Sequence, residues 1–406
     1  MNQRSYAIFS LPVIVGALGY FVDIYDLLLF GIIRKQSLLD LGLTQEGITR
    51  VGENIISIQM AGLLIGGIIW GVMGDKRGRL SVLFGSIILY SLANIANGLV
   101  VNTTQYAIVR FITGIGLAGE LGAGITLVTE LLSKEKRGIG TSLVAGIGLT
   151  GAIVAYFISR EFNWRICYFI GGGLGLLLLL LRISVFESGM FHQVKTMKVS
   201  RGNFLMFFNN KERFKKYAVA ILIGLPTWYV IGVLVSFSDQ FGKYFGITED
   251  VSPGKAIMVA YIGISIGDVF IGFLSQWLQS RKKALYIFYV LTALFIALFF
   301  SQQGGSAAQM YWICGGLGFP TGFWAIFVTM AAEQFGTNLR ATAATTVPNM
   351  VRGSLPLIII LFKWLRTLTP YITAGWITGI ITMIIAIWAV ANTRETFGKD
   401  LNYVEY

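Results

Sequence analysis

The sequence has few of the side chains on which enzyme centres and metal sites depend. Its 406 residues include one histidine and two cysteines. Only 13% of the residues are charged, whereas a soluble domain has roughly a quarter. One histidine and two scattered cysteines are a poor basis for a Cys/His zinc site or a Ser-His-Asp triad. We therefore expect neither an enzyme nor a metal or other cofactor, and we interpret the lone His192 as a solvated loop residue.

Long apolar runs take the place of the missing charge. Hydrophobic residues make up 55% of the chain, the mean hydropathy is +0.70, and long apolar runs recur along its whole length. Runs of about 20 residues predict an all-α membrane protein. Cys167 and Cys314 fall inside predicted spans and are expected to be free thiols. The twelve predicted spans are 11–34, 52–73, 80–101, 105–131, 139–159, 165–186, 217–240, 255–278, 284–301, 309–332, 341–362 and 371–392.

The net charge of +12 is unevenly distributed between the predicted loops. With the N-terminus inside, most basic residues fall on the cytoplasmic side, and the fewer bases on the opposite side are partly offset by acids. By the positive-inside rule, this bias predicts that both termini are cytoplasmic. We expect an integral multi-pass protein of a bacterial inner membrane. Its expected partner is the lipid bilayer, and we expect no binding of nucleic acid. The bases assigned to the cytoplasmic side include Lys76, Arg77, Arg79, Arg182 and Arg281.

Two sequence motifs occur once in each half of the chain. The motif "ELLSKEKRG", which begins at Glu130, returns as "EQFGTNLRA", which begins at Glu333, 203 residues later. The motif "GVMGDKRGRLSV" has a weaker copy, "GFLSQWLQSRKKAL", at an offset of about 201 residues. The repeat predicts two parallel six-helix bundles, residues 1–186 and 217–406, joined by a cytoplasmic linker, residues 187–216. A site between such halves, near the middle of the bilayer, is typical of transporters.

Three short motifs resemble those of the major facilitator superfamily. They are "GDKRGR", which ends at Arg79, "RFITGIG", which begins at Arg110, and Glu130 followed seven residues later by Arg137. The resemblance implies a twelve-helix fold that gives alternating access to a central site by rocking its two halves. It also implies a conformational latch at the cytoplasmic helix ends. The predicted gating residues are Asp75, Arg79, Glu130, Arg137, Glu333 and Arg340.

The first and fourth predicted spans resemble those of the metabolite:proton symporters, which carry organic acids, betaines and proline. "DIYDLLLFG" is similar to that family's "E-W-Y-D-x-x-x-x-G" pattern, with Asp23 in the Glu place and with Tyr25 and Asp26 matching. "GIGLAGELGAG" places Glu120 at the family's acidic position, whereas Ile24 replaces a Trp of the first pattern. Related sialate and sugar-acid carriers share much of this pattern, so the resemblance implies a class of substrate and not one compound.

Ionisable residues lie inside the predicted spans, where a charged side chain costs about 2.5–3.5 kcal/mol on insertion scales. Asp23 and Asp26 share one stripe of the first helix with Phe30 and Arg34. Carboxylates on adjacent turns do not both ionise easily in a poorly hydrated cavity. We therefore expect one of them to bind and release a proton, or to bind a cationic group of the substrate. The predicted proton-coupling residues are Asp23, Asp26, Glu120, Arg110 and Asp268.

Each of these residues also has a structural interpretation. Asp26 can be the partner of a neighbouring arginine or of a helix end. Glu120, in a glycine-rich stretch, can pair with a tyrosine or an arginine. Arg110 lies where the superfamily resemblance implies a residue that helps relay protons. Asp268 matches no motif that we recognise, and is expected to be either a second proton site or the partner of Arg352.

Arg352 is the only base deep inside the second half and is predicted to bind an anionic group of the substrate. Pro348 and Pro356 on either side of it interrupt helix regularity. Aromatic residues near prolines in the seventh and tenth spans are candidates for lining a cavity, although interfacial belts and helix packing are commoner roles. The predicted substrate-binding residues are Tyr25, Arg34, Trp228, Tyr229, Trp324, Asn349 and Arg352.

These patterns together predict a secondary active transporter that works as a monomer. Its expected reaction is symport of protons with a small polar metabolite, such as an organic acid or zwitterion, driven by the proton gradient. The main alternative is a proton-coupled efflux antiporter for a drug or secreted metabolite. The fifth span, "GTSLVAGIGLTGAIVAY", lacks the Gly-Pro pair that is typical of antiporters in this superfamily, which favours import. Sodium is an alternative coupling ion, because carboxylates bind either cation.

Overall fold

The structure is a computed structural model that describes residues 10–133, 136–182, 202–399 and 403–405. Twelve helical spans in these ranges are long and apolar enough to cross a membrane, which confirms the predicted all-α fold of twelve transmembrane helices. In chain order, spans 1 to 12 are Val13–Asp40, Asn54–Arg77, Arg79–Asn97, Thr103–Leu131, Ile139–Glu161, Trp164–Leu181, Lys211–Val235, Pro253–Trp277, Arg281–Phe300, Ala307–Gln334, Arg340–Leu368 and Tyr371–Asn392.

Spans 1, 7 and 11 each continue six residues beyond a predicted end, and in spans 1 and 7 a polar side chain caps or anchors the extension. Span 1 continues to Asp40, whose Oδ2 accepts a hydrogen bond from Trp164 Nε1 at 3.0 Å, so its end is tied to the start of span 6. Span 7 begins at Lys211, because the side chain of Asn210 accepts hydrogen bonds from the first free main-chain N–H groups of the helix. The last six residues of the predicted linker, 211–216, are therefore helical.

Five spans are interrupted in or near the middle of the helix. Proline, which lacks an N–H donor, accompanies three of these breaks, at Pro226, Pro320 and Pro356. Irregular backbone at membrane depth is tolerated where it is enclosed by protein or lines a cavity. The segments are Thr103–Leu117 and Glu120–Leu131, Arg137–Leu149 and Gly151–Glu161, Lys211–Ile223, Leu225–Tyr229 and Val230–Val235, Ala307–Thr321 and Trp324–Gln334, and Arg340–Gly353 and Leu355–Leu368.

Glycine allows pairs of spans to pack with their backbones in contact. A Cβ added at Gly62 of span 2 would lie 2.3 Å from the main-chain oxygen of Phe111 in span 4. One added at Gly318 of span 10 would lie 2.0 Å from the main-chain oxygen of Ala260 in span 8. In lipid, the hydrophobic effect does not drive helices together, so dispersion energy from such close contacts stabilises their association. They hold each set of six spans together around its polar interior.

The first six spans meet the last six mainly where span 2 packs against span 11 and span 5 packs against spans 8 and 10. Threonine hydroxyls form hydrogen bonds across this face. Thr342 Oγ1 donates to the main-chain oxygen of Gly71 at 3.1 Å, and Thr329 Oγ1 donates to Thr141 Oγ1 at 3.1 Å. Small polar side chains thus connect the two sets without filling the space between them.

The segment after span 12 returns to the start of span 9. Glu395 is half-buried, which disfavours its charged form, but its carboxylate accepts hydrogen bonds from Ser280 Oγ and from the main-chain N–H groups of Arg281, Lys282 and Phe397. These donors favour the ionised form and hold the pKa of Glu395 below its ordinary value. The carboxylate therefore caps the helix of span 9 and fixes the end of the last six spans.

A glycine-to-alanine substitution tests the backbone contact between spans 2 and 4. We expect Gly62→Ala to destabilise the protein by about 1–3 kcal/mol, because the new methyl group must displace a main-chain oxygen rather than a mobile side chain. The measurement is the apparent melting temperature of detergent-solubilised protein. The matched control is Gly124→Ala in span 4, where an added Cβ would meet no atom within 4 Å. Equal melting temperatures for the two variants would contradict the proposed packing.

Candidate functional site

Span 1 places Asp26 beside Arg110 of span 4, inside the first six spans. Both side chains are fully buried. Arg110 Nη2 donates to the main-chain oxygen of Asp26 at 3.1 Å, and Arg110 Nε donates to Gln59 Oε1 at 3.3 Å. Among the described residues, neither carboxylate oxygen of Asp26 has a hydrogen-bond partner, and Arg110 Nη1 has none either. The acid and the base therefore attract each other without forming a direct salt bridge.

Aromatic rings and a glycine enclose this pair. The Arg110 guanidinium lies 5.6 Å from the ring centroid of Tyr168, a distance suited to a cation–π contact. The hydroxyl oxygens of Tyr168 and Tyr106 are 2.7 Å apart, so they are hydrogen-bonded. A Cβ added at Gly171 of span 6 would lie 2.2 Å from Asp26 Oδ1. The absence of a side chain at Gly171 thus gives the carboxylate of Asp26 its space.

Glu120 forms a buried ion pair with Arg182 at the end of span 6. Arg182 Nη1 donates to Glu120 Oε1 at 2.8 Å, and Nη2 donates to the other carboxylate oxygen. Ser86 Oγ adds a third hydrogen bond at 2.8 Å. This geometry corresponds to one of the two partners predicted for Glu120, an arginine. Arg182, which the sequence assigns to the cytoplasmic side, is almost completely buried against Glu120.

Asp23 lies one turn before Asp26, and its side chain is also fully buried. Within the described ranges, neither of its carboxylate oxygens has a hydrogen-bond partner. Its charge is attracted by Arg352 of span 11 and repelled by Glu120 and Asp26. Asp23 therefore interacts electrostatically with charged residues of both sets of spans.

A small cavity of about 20 Å³ lies between the two sets of spans, which is room for a single water molecule. We name it the central cavity. Aromatic and aliphatic side chains form most of its wall, so it is largely apolar. Its lining residues are Tyr20, Ile24, Leu27 and Leu149 from the first six spans, and Thr227, Trp228, Tyr261, Ile264, Trp324 and Arg352 from the last six.

The last six spans contribute three buried hydrogen-bond donors without acceptors to the wall of the central cavity. In the part of the chain that the structure describes, Arg352 Nε, Trp228 Nε1 and Trp324 Nε1 have no hydrogen-bond partner. The Arg352 guanidinium lies 5.7 Å from the Trp324 ring, and the two tryptophan rings are 6.4 Å apart. Arg352 Nη1 donates to Asn349 Oδ1 at 3.2 Å, and Asn349 Nδ2 donates to the main-chain oxygen of Ala118 at 2.9 Å. The last bond fixes this wall against span 4.

Two predicted substrate-binding tyrosines bond to neighbouring helices instead of lining the central cavity. Tyr25 donates its hydroxyl hydrogen to the main-chain oxygen of Cys167 at 2.9 Å, which joins spans 1 and 6. Tyr229 donates to the main-chain oxygen of Gly375 at 2.7 Å, which joins spans 7 and 12. Both residues are fully buried. Helix packing is therefore the role that these contacts support.

Asp268 of span 8 lies at the break in span 10. Its Oδ1 accepts a hydrogen bond from the main-chain N–H of Ala325 at 2.8 Å. Arg352 is a predicted partner of Asp268, but the described residues include no ion pair between the two. Asp268 is fully buried and is not among the residues that line the central cavity.

Arg34 lines a different and larger cavity, of about 650 Å³, at the end of the bundle where span 1 ends and span 12 begins. We name it the wide cavity. The other polar side chains of its wall come from the second half of the chain, partly from the helix Ser238–Tyr244 between spans 7 and 8, so the wide cavity also lies between the two halves. The structure thus separates Arg34 from Arg352, although both are predicted to bind substrate. Its polar and aromatic lining includes Arg34, Asp239, Gln240, Tyr244, Arg366 and Tyr371.

The opposite end of the bundle, which we name the Asp75 end, is closed by hydrogen bonds between the two sets of spans. Asp75 accepts from the main-chain N–H groups of Ala341 at 3.1 Å and Thr342 at 2.8 Å, and from Thr342 Oγ1 at 2.7 Å. These donors lie in the first turn of span 11, where a carboxylate satisfies free N–H groups and complements the helix dipole. Asp75 therefore caps a helix of the other set.

A second connection at this end is ionic. Glu130 Oε1 accepts from Arg79 Nη2 at 2.8 Å and from Arg340 Nη1 at 3.3 Å. Arg79 and Glu130 belong to the first six spans, whereas Arg340 begins span 11. All three side chains are buried. One carboxylate thus holds an arginine from each set.

The last six spans contain the repeat-related ion pair. Arg281 Nη2 lies 3.1 Å from Glu333 Oε1, in the same way that Arg79 binds Glu130. Glu333 is therefore paired with Arg281 and not with Arg340, which contacts Glu130. The side chain of Arg137, the remaining predicted gating residue, lies outside the described residues.

Comparison with known proteins identifies the family. The family model described as Major Facilitator Superfamily matches residues 6–360. The niacin transporter NiaP of Acinetobacter baylyi is 26% identical over 98% of this chain and 96% of its own length. The sialic acid transporter NanX of Escherichia coli is 26% identical over 82% of this chain and 81% of its own length.

The fold is also that of solved transporters. The proton:xylose symporter XylE, bound to 6-bromo-6-deoxy-D-glucose, matches with a TM-score of 0.78 and 17% identity over 97% of this chain and 98% of the other. These relatives are transporters of small metabolites, so the expectation of a transporter rather than an enzyme is confirmed. The chain belongs to the major facilitator superfamily and is a secondary transporter built from twelve membrane spans.

Proposed function

We propose that this protein imports a small organic acid with a flat, apolar body, together with protons. The observation that carries the proposal is the group of three buried donors, on Arg352, Trp228 and Trp324, that have no acceptor among the described residues. Buried donors are almost always paired in native structures, so a site made of unpaired donors favours a ligand that supplies acceptors. A carboxylate has two acceptor oxygens and a charge that complements Arg352.

A substrate is larger than the single water for which the central cavity has room in this arrangement, so we infer that the two sets of spans part when it binds. The apolar remainder of the cavity wall favours a substrate with little polar surface beyond its carboxylate. Trp228 and Trp324 are edge to face, and Tyr20 and Tyr261 complete an aromatic enclosure. Aromatic rings stack well on flat ligands. Two relatives are named for niacin and sialic acid, which are both carboxylic acids. Aromatic or heteroaromatic acids have both a carboxylate for the buried donors and a flat apolar ring for the aromatic wall of this cavity.

The proposed proton site is Asp26 with Asp23, next to Arg110. Asp26 is buried near a cation but has no direct salt bridge to it, so adding a proton removes a charge without breaking an ion pair. Span 1 also contributes Tyr20, Ile24 and Leu27 to the central cavity. Protonation of its aspartates and binding of substrate would therefore act on the same helix. Glu120, with a bidentate arginine, is better suited to holding spans 4 and 6 together than to exchanging protons.

The proposed cycle uses the wide cavity as the entrance and the Asp75 end as the closed exit. We infer that residues 1–186 and 217–406 rock as two bundles about the central cavity, linked by residues 187–216. The Asp75 end and both termini would face the cytoplasm of a bacterial cell, and one chain would hold a complete pathway. Arg34 and Arg366 in the wide cavity would attract an anion before it reaches Arg352. Asp75, Arg79, Glu130 and Arg340 would form the gate that opens on release.

Substitution of Asp26 tests the proton coupling. In liposomes with a pH-sensitive dye inside, we expect external nicotinate or benzoate to acidify the lumen faster with protein than without it, because protein-free vesicles report only passive entry of the neutral acid. Asp26→Asn should abolish the protein-dependent acidification, since the amide cannot carry the proton, while binding of the acid persists. The control is Asp40→Asn, at the exposed end of the same helix.

Unimpaired acidification with Asp26→Asn would refute its role in coupling. If no acid, amino acid or betaine acidifies the lumen, but added cationic compounds drive protons outward, the protein is an efflux antiporter. Asp26 would then be a site shared by cation and proton. Dependence of uptake on a sodium gradient with no pH change would instead assign sodium as the coupling ion.

Substitution of Arg352 tests the anion site separately from the proton site. We expect Arg352→Gln to weaken binding of the acid that is active in liposomes by about 10- to 100-fold, the loss of one charge-assisted hydrogen bond. Arg352→Lys should recover part of the affinity, because it keeps the charge but not the planar fork. Titration calorimetry on purified protein measures the dissociation constants. Arg394→Gln, at an arginine whose side chain is exposed and lines neither cavity, is the control, and equal affinities for both glutamine variants would rule out Arg352 as the anion site.

Substitution of Glu130 tests the proposed gate. In a background where Cys167 and Cys314 are replaced by serine, we expect Glu130→Gln to increase the labelling rate of Thr329→Cys by about tenfold, because one charge-assisted bond between the sets is lost. Thr329 lies on the contact between the sets and is fully buried. A water-soluble maleimide and mass spectrometry give the rate. Glu212→Gln, an exposed glutamate of span 7, is the control, and identical rates in both variants would exclude Glu130 from the gate.

A further inference from the structure

The break in span 10 exposes main-chain donors at the start of a helix in the protein interior. The helix Ala307–Thr321 ends before Gly322, and a second helix runs from Trp324 to Gln334. The first hydrogen bond of the second helix is donated by Phe327 to the main-chain oxygen of Phe323 at 2.9 Å. The N–H groups before Phe327 therefore need acceptors from outside the helix. The start of this helix is buried, so water does not supply them freely.

Asp268 supplies one of these acceptors. Its Oδ1 is 2.8 Å from the main-chain nitrogen of Ala325, the second residue of the helix. The side chain of Asp268 is fully buried, and the N-cap residue of the helix, Phe323, forms no side-chain capping bond. A carboxylate in this position satisfies an N–H group and complements the positive end of the helix dipole.

Tight packing keeps Asp268 and the helix start together. A Cβ added at Gly322 would lie 2.4 Å from the main-chain oxygen of Ile264 and 2.8 Å from the main-chain nitrogen of Asp268. Spans 8 and 10 are thus in backbone contact at the break itself, and only glycine fits at position 322. Span 8 carries the Asp268 carboxyl group. It cannot move away from Ala325 unless the backbones of spans 8 and 10 separate.

The helix that Asp268 caps carries residues at both ends that matter to the proposed cycle. Its first residue, Trp324, lies beside Arg352 in the central cavity. Its last turn contains Glu333, which binds Arg281 at the Asp75 end. A shift at the helix start would therefore move a wall of the central cavity and pull on an ion pair near the gate.

The surroundings of Asp268 support the role of an acceptor rather than that of a charge in an ion pair. Glu120, the comparable buried acid of span 4, has Arg182 and Ser86 as partners. Asp268 forms no ion pair among the described residues, and its Oδ2 has no hydrogen-bond partner there. The contact with Ala325 is thus the one polar bond that the structure gives this side chain.

We propose that Asp268 is a positioning residue whose Oδ1 holds the start of the helix Trp324–Gln334 and thereby holds Trp324 against the substrate. The function requires a hydrogen-bond acceptor at this position and does not require proton exchange. The capping role stands on geometry alone, whereas the effect on substrate rests on the proposed central site.

Amide hydrogen exchange of the purified protein tests the capping role without any substrate. We expect Asp268→Ala to speed exchange in peptides that cover residues 322–330 by about tenfold, because Ala325 loses its acceptor. Asp268→Asn keeps a side-chain oxygen in the same place, so its peptides should exchange like those of the native chain. The matched control is Ser265→Ala, which removes from the same helix a buried hydroxyl with no hydrogen-bond partner among the described residues. Native exchange in Asp268→Ala, or fast exchange in Asp268→Asn, would overturn the proposal.

A double-mutant cycle then tests the link to Trp324, with nicotinate as the probe. Asp268→Ala and Trp324→Leu should each weaken nicotinate binding about tenfold, and the double variant should be little weaker than either, because both remove the same positioned ring. Losses that simply multiply would overturn the link to Trp324. Asp268→Asn should also keep proton-coupled acidification in liposomes, whereas loss of acidification would assign a proton to Asp268 and overturn the proposal. If the native chain binds neither nicotinate nor benzoate, the proposed substrate class fails, and the exchange experiment still decides the capping role.

Discussion

The cost of placing an ionised side chain inside a membrane governs where each buried charge of this protein lies. At about 2.5–3.5 kcal/mol for each charge at mid-bilayer, several exposed to lipid would consume the stability of an ordinary fold. Three buried carboxylates, Glu120, Glu130 and Glu333, are neutralised by arginines at short distance. Asp26 and Arg352 are buried as deeply, but in the described ranges neither forms an ion pair at short distance. In the proposed cycle, this lack of a fixed partner would leave Asp26 available for a proton and Arg352 available for an anion.

The internal repeat shows how one inherited ion pair can serve two purposes. Arg79–Glu130 and Arg281–Glu333 occupy corresponding places in the two sets of spans, 203 residues apart at the glutamates. Only Glu130 also binds an arginine of the other set, Arg340. The sequence repeat aligns Asp75 with Gln276, which is uncharged and cannot complement a helix dipole as Asp75 does. The first pair can therefore respond to the relative position of the two sets, whereas the second stabilises its own set.

Hydropathy was sufficient to predict the twelve spans, because crossing a bilayer imposes a length and a composition that are local properties of the chain. Asp26 and Arg352 could be selected from sequence by the same constraint, since a charge in an apolar run has to avoid lipid. Their partners could not, because periodicity does not specify which helices face one another. Arg182 is the clearest example: the sequence places it near the end of the sixth predicted span, among the bases of the cytoplasmic side, and only the packing of span 6 on span 4 brings it to Glu120. Similarly, Tyr25 and Tyr229 bond to main-chain oxygens that no sequence pattern marks.

Coupled transport requires that a proton and a substrate each change the stability of the same two arrangements. In the proposed cycle, the helical geometry of span 1 would meet this requirement. Tyr20, Ile24 and Leu27 recur at the spacing of one helix face and line the central cavity. Viewed down the helix axis, Asp23 lies about 40° from Leu27, and Asp26 lies about 100° from Leu27 in the same direction. Any rotation or tilt that relieves a change of charge at these aspartates must therefore displace the cavity wall, and a substrate that fixes the wall must alter the surroundings of the aspartates.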